Sequence, residues 1–330
     1  MLRRNPVPQS NPRSKSASAE EIDGVRITHP DRVVFQDAGI TKRDLAEYCV
    51  GVAKWMLPHL VRRPLTLVRC PEGTANPCFY QKQPPQGLPD SVKRIPIRFK
   101  EGTSVGVYVE DLAGLLALIQ FGVLEVHVWQ ASIGDIERPD RIVFDLDPGP
   151  NVEWPQVVDA ALLLRDSLKE LSLVSFVKTT GGKGLHIVVP IEPKRPWSEV
   201  KEFSKAMSQA LVTADPSRYT LSMSKAARPG KIFIDYLRNE RGATAVVAYS
   251  PRARAGAPIS FPLNWKELSK TRAANAVTVS NAVARLKKRT RDPWKDLTKV
   301  RQAISDAAMQ ALSTIGPSSL RSKRPRATAK

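Results

Sequence analysis

Two aspartates at alternate positions close an apolar run. The run Arg141-Ile-Val-Phe-Asp-Leu-Asp147 precedes a Pro-Gly-Pro turn and is typical of a β-strand that ends at Asp145 and Asp147. Residues i and i+2 of a strand point to the same face, about 7 Å apart. Two carboxylates held in this way repel each other unless a cation lies between them, and oxygen ligands suit Mg²⁺ or Mn²⁺. Asp-x-Asp before Pro-Gly is also good turn chemistry, so the pair alone leaves a purely structural role open.

A third aspartate, Asp235, ends a second short apolar run, Ile232-Phe-Ile234. Three acids at strand ends can hold two divalent ions about 4 Å apart, which is the geometry used for phosphoryl transfer. In that chemistry one ion lowers the pKa of a 3′-hydroxyl, and the other holds the triphosphate of an incoming nucleotide. The alternative is that Asp235 forms an ordinary ion pair with Arg238 or Lys231.

A glycine-rich segment, Thr179-Thr-Gly-Gly-Lys-Gly-Leu-His186, joins two predicted strands. Its glycines permit positive φ and close backbone approach. Its free N–H groups can form a nest for an anion, with Thr180, Lys183 and His186 as further donors. The spacing differs from that of a Walker A loop, and a hairpin turn without a ligand is the alternative.

Aromatic and basic side chains supply further candidates. Phe79 and Tyr80 lie beside Lys82 in a Pro/Gly-rich region, where they can stack on a base or simply pack. His127 lies on a predicted strand that leads towards the Asp-x-Asp strand, and its role is open. A basic lining beside an acidic centre suits both a triphosphate and a DNA backbone. The basic residues close to Asp235 in sequence are Arg228, Lys231, Arg238, Arg241, Arg252 and Arg254.

Arg32 and Lys42 form a separate candidate pair. Lys42 is at the N-terminus of the first predicted helix, where exposed N–H groups favour a phosphate. Each of the two, taken singly, is as readily an ordinary surface charge.

Strands and helices must bring these residues together. The firmest predicted element is a helix that begins after Thr41, a capping residue with Asp44 three positions on, and that ends late, near Pro58. Apolar periodicity predicts further helices, and alternation predicts strands. The order of elements predicts an α+β fold in which helices flank a mixed or mainly antiparallel central sheet. The predicted helices are 111–121, 154–171, 198–211 and 295–315, and the predicted strands are 65–69, 93–99, 104–109, 125–130, 141–147, 175–180, 185–191, 231–235 and 242–248.

Charge is the unusual feature of the composition. Among 330 residues, 51 Lys and Arg outnumber 32 Asp and Glu, which leaves a net charge of +19. This excess favours a polyanionic partner, and nucleic acid is favoured over an anionic membrane because no strongly amphipathic basic helix is evident. No apolar run approaches the roughly 18 residues of a membrane span, and no apolar stretch follows Arg3 and Arg4 as in a secretory signal. A cytoplasmic, nucleoid-associated protein without membrane contact is expected.

The two ends of the chain differ from its middle. Residues 1–22 are predicted to be a disordered basic arm, and residues 316–330 a disordered basic tail. Residues 23–315 are predicted to form one catalytic domain. Three cysteines, at positions 49, 70 and 78, are odd in number and lack CxxC spacing, so reduced thiols are expected rather than a disulfide or a zinc site.

Taken together, these motifs resemble the polymerase domain of bacterial DNA ligase D, which is similar to archaeo-eukaryotic primases. The central matches are Asp135–Pro150, Thr179–Pro190, Lys231–Asn239, Thr244–Val247 and Tyr249–Ala257. Shorter matches lie at Gly39–Lys42, Leu57–Leu60, Arg63–Pro71 and Arg291–Trp294. The resemblance therefore runs from about Val25 to Ile315.

The resemblance implies a role for each matched residue. Asp145, Asp147 and Asp235 would hold two Mn²⁺ or Mg²⁺ ions. Arg32 and Lys42 would bind the 5′-phosphate of the downstream strand at a gap or break. The residues that would face the nucleoside triphosphate and its base are Phe79, His127, Thr180, Lys183, His186, Arg228 and Arg252.

The resemblance also implies an activity and partners. Members of the family favour Mn²⁺, prefer ribonucleotides, fill gaps, extend templated ends and add untemplated nucleotides in non-homologous end joining, together with a Ku-like end-binding protein. No ligase or phosphoesterase domain is expected in this sequence, so a fused or separate ATP-dependent DNA ligase would seal the break. Gln36 replaces the usual Pro, Tyr80 the usual second Phe and Gln83 a common His, which affects base and template contacts rather than metal chemistry.

Three other functions stay open. An Asp-x-Asp glycosyltransferase also uses Mn²⁺ and a nucleotide substrate, but it leaves Asp235 and the net charge of +19 unexplained. A non-catalytic DNA-binding scaffold of an end-joining complex would not need three acids. A primase that starts chains without a primer is the nearest neighbour of the leading prediction.

Overall fold

The computed structural model describes residues 18–314. Within this range the helices are α1 (Lys42–Leu60), α2 (Leu112–Gln120), α3 (Trp154–Glu170), α4 (Trp197–Ala214), α5 (Trp265–Leu268), α6 (Val279–Lys287) and α7 (Asp306–Thr314). The strands are β1 (Ala19–Ile22), β2 (Val25–Thr28), β3 (Val33–Phe35), β4 (Ile40–Thr41), β5 (Leu65–Arg69), β6 (Phe79–Gln81), β7 (Val92–Phe99), β8 (Gly102–Val109), β9 (Val123–Trp129), β10 (Arg141–Pro148), β11 (Phe176–Thr179), β12 (Leu185–Pro190), β13 (Tyr219–Thr220), β14 (Ile232–Asp235), β15 (Thr244–Val246) and β16 (Pro262–Leu263).

Local sequence accounts for both ends of α1. The backbone N–H of Asp44 donates to Thr41 Oγ1 at 3.1 Å, and the backbone N–H of Thr41 donates to Asp44 Oδ2 at 2.8 Å. This reciprocal pair is the predicted capping box. The helix passes through Pro58 and ends at Leu60, so the prediction of a late end is confirmed.

A six-stranded sheet carries the Asp-x-Asp strand near its middle. Its order is β13-β14-β10-β12-β11-β16, and its pairs are antiparallel except for β13 with β14. The apolar run of β10 is explained by burial, because Ile142, Phe144 and Leu146 are fully buried in the main core. Helices α3 and α4 pack on this sheet. The predicted α+β class with a mainly antiparallel sheet is confirmed.

A second sheet lies beside the first and is antiparallel throughout. It has four strands in the order β15-β9-β5-β6. β9 carries His127, and β6 carries Phe79 and Tyr80. A separate hairpin of β7 and β8 pairs over eight residues of each strand. No helix within residues 18–314 is both long and apolar enough to cross a membrane.

The predicted helix over 295–315 is wrong before Asp306, where α7 begins. The preceding residues form turns and irregular chain in which Leu297 and Ile304 are buried. Their seven-residue separation fits a helical period, which explains the prediction. Instead the chain is held along the sheet, because Gln302 Nε2 donates to the last carbonyl of β12 at 2.7 Å. Helix α6 was not predicted from the sequence.

The last residues of the predicted arm, 19–22, form a strand. β1 pairs with β2 through a turn at Asp23 and Gly24, which both have positive φ, and Ile22 at the end of β1 is buried. The rest of the predicted arm, up to residue 17, and the predicted tail lie outside the described residues.

The expectation of three reduced thiols is wrong for two of them. Cys70 and Cys78 form a disulfide with their Cα atoms 4.5 Å apart, whereas Cys49 is free and buried. The cause is strand register. Arg69 and Phe79 are directly paired across β5 and β6, so the two cysteines occupy the next facing positions. The eight-residue spacing gave no sign of this, because it depends on that pairing.

Candidate active site

The three aspartates lie on adjacent strands of the six-stranded sheet. β10 and β14 are antiparallel, and their register sets Asp145 directly opposite Asp235 and Asp147 opposite Phe233. Directly opposed residues point to the same face, as do residues at i and i+2 of one strand. All three carboxylates therefore lie on one face of the sheet. The structure brings together residues that are 90 positions apart in sequence.

Burial and mutual repulsion perturb this cluster. Burial raises the pKa of Asp147 and of Asp235, and the Asp145 charge raises both further, although Arg228 and Arg238 oppose the rise. Burial also acts to raise the pKa of Asp145, but His186 and Arg238 outweigh it and hold that pKa well below its usual range. One carboxylate is thus firmly ionised beside two whose charge is disfavoured.

Arginine side chains form ion pairs with the three carboxylates and offset their negative charge. Arg238 lies between two of them, with Nε 3.2 Å from Asp235 Oδ2 and Nη2 3.4 Å from Asp145 Oδ2. Arg228 Nη1 lies 3.0 Å from Asp147 Oδ2. Among residues 18–314, no three acidic, histidine or cysteine side chains are already arranged around one ion position. The donor set fits hard divalent cations, because three carboxylates share one face of the sheet.

A row of titratable side chains crosses the sheet at this level. Lys178 on β11 faces His186 on β12, His186 faces Asp145 on β10, and Asp145 faces Asp235 on β14. His186 Nε2 lies 3.4 Å from Asp145 Oδ2. Burial, with the nearby Lys178 charge, lowers the pKa of His186 to about 4. The imidazole is therefore neutral at pH 7.

Lys178 is a buried cationic neighbour of His186 that the sequence did not reveal. It is 3% exposed, and its Nζ donates to Val246 O at 2.9 Å and to Ser260 Oγ at 2.6 Å. Burial, with the Arg252 charge, lowers its pKa well below the ordinary value. The only sign of it in the sequence was a lone lysine in an otherwise apolar predicted strand, and this is weak evidence for a functional role.

The glycine-rich segment lets two strands approach closely. Gly181 has a φ of +69°, and a Cβ at Gly184 would lie 2.1 Å from Leu146 O, between the two aspartates of β10. Thr180 Oγ1 accepts from the N–H groups of Gly182 and Gly184 at 3.2 and 3.3 Å. The predicted nest of free N–H groups is therefore partly satisfied within the loop itself.

A polar cavity of about 340 Å³ opens beside the aspartates. Its basic lining exceeds its acidic lining, which suits a triphosphate. Predicted site residues that line it are His127, Asp145, Asp147, Thr180, Lys183, His186 and Arg252, and Tyr80, Arg238 and Arg254 line it as well. Arg228 and Asp235 are outside this lining but contact it through Asp147 and Arg238.

The two aromatic residues of β6 lie differently with respect to this cavity, and the stacking of Phe79 on a base stays a prediction. Phe79 and Tyr80 are consecutive on β6, so their rings point to opposite faces. Tyr80 lines the cavity and makes an edge contact with His127, with ring centroids 5.9 Å apart. Phe79 lies under the Arg69 guanidinium at 5.6 Å and does not line the cavity.

A buried carboxylate, Glu125, organises one wall and was missed by the sequence. Its Oε2 lies 2.9 Å from His127 Nε2 and 3.1 Å from Arg252 Nε, and its Oε1 accepts from Ala253 N at 2.7 Å. Burial alone acts to raise the pKa of Glu125, but His127 and Arg252 lower it to about 2. Arg252 also donates to Thr180 O, which joins this wall to the glycine-rich segment.

Arg32 and Lys42 lie together in a separate cavity of about 240 Å³, which Arg69 also lines. Lys42 Nζ donates to Thr28 O at 3.0 Å and to Gln120 Oε1 at 2.7 Å. Burial, with the Arg32 charge, lowers the pKa of Lys42 to about 8. Three cationic side chains converge here without sharing the aspartate cavity.

Comparisons with known proteins agree with one another. The family described as LigD, primase-polymerase domain, matches residues 41–294. The chain is 38% identical over 310 residues to the multifunctional non-homologous end joining protein LigD of Pseudomonas aeruginosa, a match that covers 93% of this chain and 37% of that protein. It is 34% identical over 252 residues to the LigD protein of Mycolicibacterium smegmatis, which covers 76% of this chain and 33% of that protein. The chain thus spans only a minor part of these relatives.

A solved structure with the same fold is the polymerase domain of Mycobacterium tuberculosis ligase D in complex with DNA. It superposes with a TM-score of 0.78 at 32% identity and covers 83% of this chain and 98% of that one. The predicted primase-polymerase-like fold is confirmed by this match.

Proposed function

The chain belongs to the LigD primase-polymerase family, and on that premise we propose that it is a nucleotidyltransferase that extends DNA 3′ ends in double-strand break repair by non-homologous end joining. The observation that carries the proposal is the register that sets Asp235 opposite Asp145, with Asp147 on the same face. Three carboxylates beside a basic cavity suit a primer end and a nucleoside triphosphate.

The aspartates would serve as metal ligands. When bound by Asp145, Asp147 and Asp235, two divalent ions, Mn²⁺ or Mg²⁺, would activate the primer 3′-hydroxyl and neutralise the triphosphate. Arg228 and Arg238 would release the carboxylates and turn towards the phosphates. These arginines therefore act as counter-charges before binding and as phosphate ligands after it.

The cavity lining would hold the nucleotide. Lys183, Arg252 and Arg254 supply positive charge, and Thr180 supplies a hydroxyl. Neutral His186 can donate one hydrogen bond to a phosphate oxygen without adding charge. Tyr80, 69% exposed, offers a face on which a base can stack. By family analogy the substrate preference is for ribonucleotides, with gap filling and both templated and untemplated addition.

DNA would be held outside this cavity. The Arg32 and Lys42 cavity suits the 5′-phosphate of the downstream strand, because both cations reach one small space. The net charge of +19 supports backbone contacts along the duplex. A Ku-like end-binding protein and a fused or separate ATP-dependent ligase are the expected partners, since the relatives are non-homologous end joining proteins.

Extension of a 5′-phosphorylated, gapped duplex tests this function. Asp145→Asn should lower the rate by roughly 10³-fold, because loss of metal coordination removes several kcal/mol of transition-state stabilisation. DNA affinity, measured by fluorescence anisotropy, should stay near wild type because basic residues supply it. Asp159→Asn, on the exposed face of α3, is the matched control and should extend normally. Wild-type extension by Asp145→Asn would refute the proposal.

The same assay separates the alternatives. A non-catalytic scaffold predicts DNA binding without metal-dependent nucleotide incorporation. A glycosyltransferase predicts transfer from a labelled nucleotide sugar and no use of a nucleoside triphosphate, and the family match gives it no support.

A further inference from the structure

A further cavity, of about 520 Å³ and lined by several charged side chains, lies at the opposite end of β10 from the aspartates. Arg141, the first residue of β10, forms part of its floor. It precedes Asp145 by four residues, which places the two Cα atoms about 13 Å apart along the strand. The walls come from the turn at 132–138, the residues that follow β12, and the irregular segment 297–301.

Main-chain hydrogen bonds fix these walls to each other. Glu192 N donates to Gln302 O at 2.7 Å, and Ile191 N donates to Asp140 O at 2.9 Å. Gln302 Nε2 donates to Pro190 O at 2.7 Å. The cavity is therefore a built feature of the fold, and the segment that broke the predicted late helix forms one side of it.

Two buried arginines lie at the floor beside one carboxylate, which pairs with only one of them. Arg63 and Arg141 are each 6% exposed. Arg63 takes both oxygens of Asp140, at 2.8 and 2.6 Å. Within residues 18–314, the Arg141 guanidinium makes a single hydrogen bond, from Nη1 to His59 O at 3.3 Å. The other Arg141 donors are not sealed inside the protein, so they can pair with an anion that enters the cavity.

The rim adds more positive charge. Arg138 and Lys194 pair with Asp135 and Glu192 at 3.4 and 2.9 Å, so these four balance. Arg301 donates to the carbonyls of its own turn and has no carboxylate partner among the described residues. Five basic side chains and three carboxylates line the cavity. The surplus of two charges matches one phosphoryl group.

We propose that this cavity is a further phosphate-binding site, separate from the aspartate cavity and from the Arg32 and Lys42 cavity, in which Arg141 forms the floor and Arg301 closes the rim around one phosphoryl group. Guanidiniums suit this ligand because their planar donors match two phosphate oxygens at once. The group can belong to a nucleic-acid backbone or to a free phosphate compound. The site is distinct from the aspartate cavity and does not depend on the proposed polymerase function.

Acylation of Lys194, followed residue by residue with mass spectrometry, tests the site directly. The Lys194 side chain is 67% exposed, and Lys205 on the exposed face of α4 is the internal control. With a chelator present and catalysis silent, inorganic phosphate should slow acylation of Lys194 saturably and leave Lys205 unchanged. Arg301→Glu should raise the half-protecting concentration by roughly tenfold or more, because it reverses a charge that would contact the ligand.

Controls keep the test decisive. Arg272 is exposed and lies elsewhere, so Arg272→Glu makes the same charge change away from the cavity. In this variant phosphate should protect Lys194 as it does in the wild type. Arg141→Met tests the contribution of the buried arginine at the floor. If the Arg141→Met protein does not fold, the comparison of Arg301→Glu with the wild type is sufficient. If blunt duplex DNA protects Lys194 at a lower concentration of phosphate groups than inorganic phosphate does, the phosphoryl group comes from nucleic acid. If a nucleoside triphosphate protects Lys194 and DNA does not, the group comes from a free compound. Equal acylation of Lys194 with and without every phosphate probe, or equal protection of Arg301→Glu and Arg272→Glu, would overturn the proposal.

Discussion

Substitution of Gly184 by alanine should damage stability and catalysis together. A Cβ at this position would lie 2.1 Å from Leu146 O and 3.1 Å from Leu146 C. Leu146 separates Asp145 from Asp147 on β10, so any retreat of that carbonyl moves the two carboxylates with it. The alanine methyl therefore acts on the acid cluster without touching a single carboxylate.

The size of the effect follows from that contact. A Cβ is essentially never closer than 3.0 Å to another heavy atom, so one strand must move by the difference from 2.1 Å, about 1 Å. Overpacking of this kind costs about 1–3 kcal/mol, or a few degrees in melting temperature for each kcal/mol. A displacement of about 1 Å at reacting groups can lower the rate by on the order of 10²-fold.

Gly182→Ala in the same loop is the matched control for stability. Its Cβ would meet Thr180 Oγ1 at 3.4 Å and Arg254 at 3.6 Å, which are ordinary contacts, and its φ is not positive. Its free energy of unfolding should stay within about 0.5 kcal/mol of the wild-type value, so its melting temperature should hardly change. Calorimetry and single-turnover gap filling measure the two effects. A Gly184→Ala protein with the wild-type melting temperature and the wild-type rate of gap filling would refute the close approach of Gly184 to Leu146. A lower melting temperature with an unchanged rate would refute the link between this contact and the aspartates.

Four further substitutions test the charges of the two cavities. With a chelator at pH 7, Asp235→Asn should raise the melting temperature, because burial raises the pKa of Asp235 and its ionised form opposes folding. Asp145→Asn should lower the melting temperature, because the hydrogen bond from His186 and the Arg238 charge hold the pKa of Asp145 low against its burial, and the stability this provides is lost only as pH falls through that pKa; equal shifts in both variants would contradict this. Lys42→Met should reduce the preference for 5′-phosphorylated over unphosphorylated gaps, and the wild-type preference should weaken as pH rises through about 8, where Lys42 loses its proton; a preference that is flat from pH 7 to 9 would argue against this role. Glu125→Gln should raise KM for the nucleoside triphosphate more than it lowers kcat, because the carboxylate positions Arg252, and an unchanged KM would exclude that positioning.

Features that depend on near neighbours in sequence were predictable. The capping box of α1 needs only Thr41 and Asp44, and alternation along β10 exposes its two aspartates as a pair. Asp235 was found because it ends an apolar strand in the same way. Each of these signals is contained within a few residues, so one sequence is enough to show it.

Features that depend on strand register were not predictable. Lys178 reaches the site because it faces His186, and Cys70 meets Cys78 because Arg69 faces Phe79 across β5 and β6. Register is set by the whole sheet and its connections, and a one-residue slip reverses every side chain. For the same reason the sequence did not show which of Phe79 and Tyr80 lines the cavity, and the structure shows that it is Tyr80.

The helix predicted over 295–315 shows that a local pattern can also mislead. Leu297 and Ile304 satisfy the period of a helix, yet both are buried by an irregular segment that Gln302 ties to the sheet. Periodicity records which residues are buried and does not record what buries them. Tertiary hydrogen bonds decided the outcome here.

The central claim is that Asp145, Asp147 and Asp235 together hold the divalent ions beside a triphosphate. Crystals grown with Mn²⁺ and a non-hydrolysable nucleoside triphosphate, measured at the manganese absorption edge, test it most directly. The account predicts anomalous peaks within coordination distance of all three carboxylates, about 4 Å apart if two ions bind, with Arg238 turned away. Manganese bound elsewhere, or at the other two aspartates with Asp235 still paired to Arg238, would contradict it.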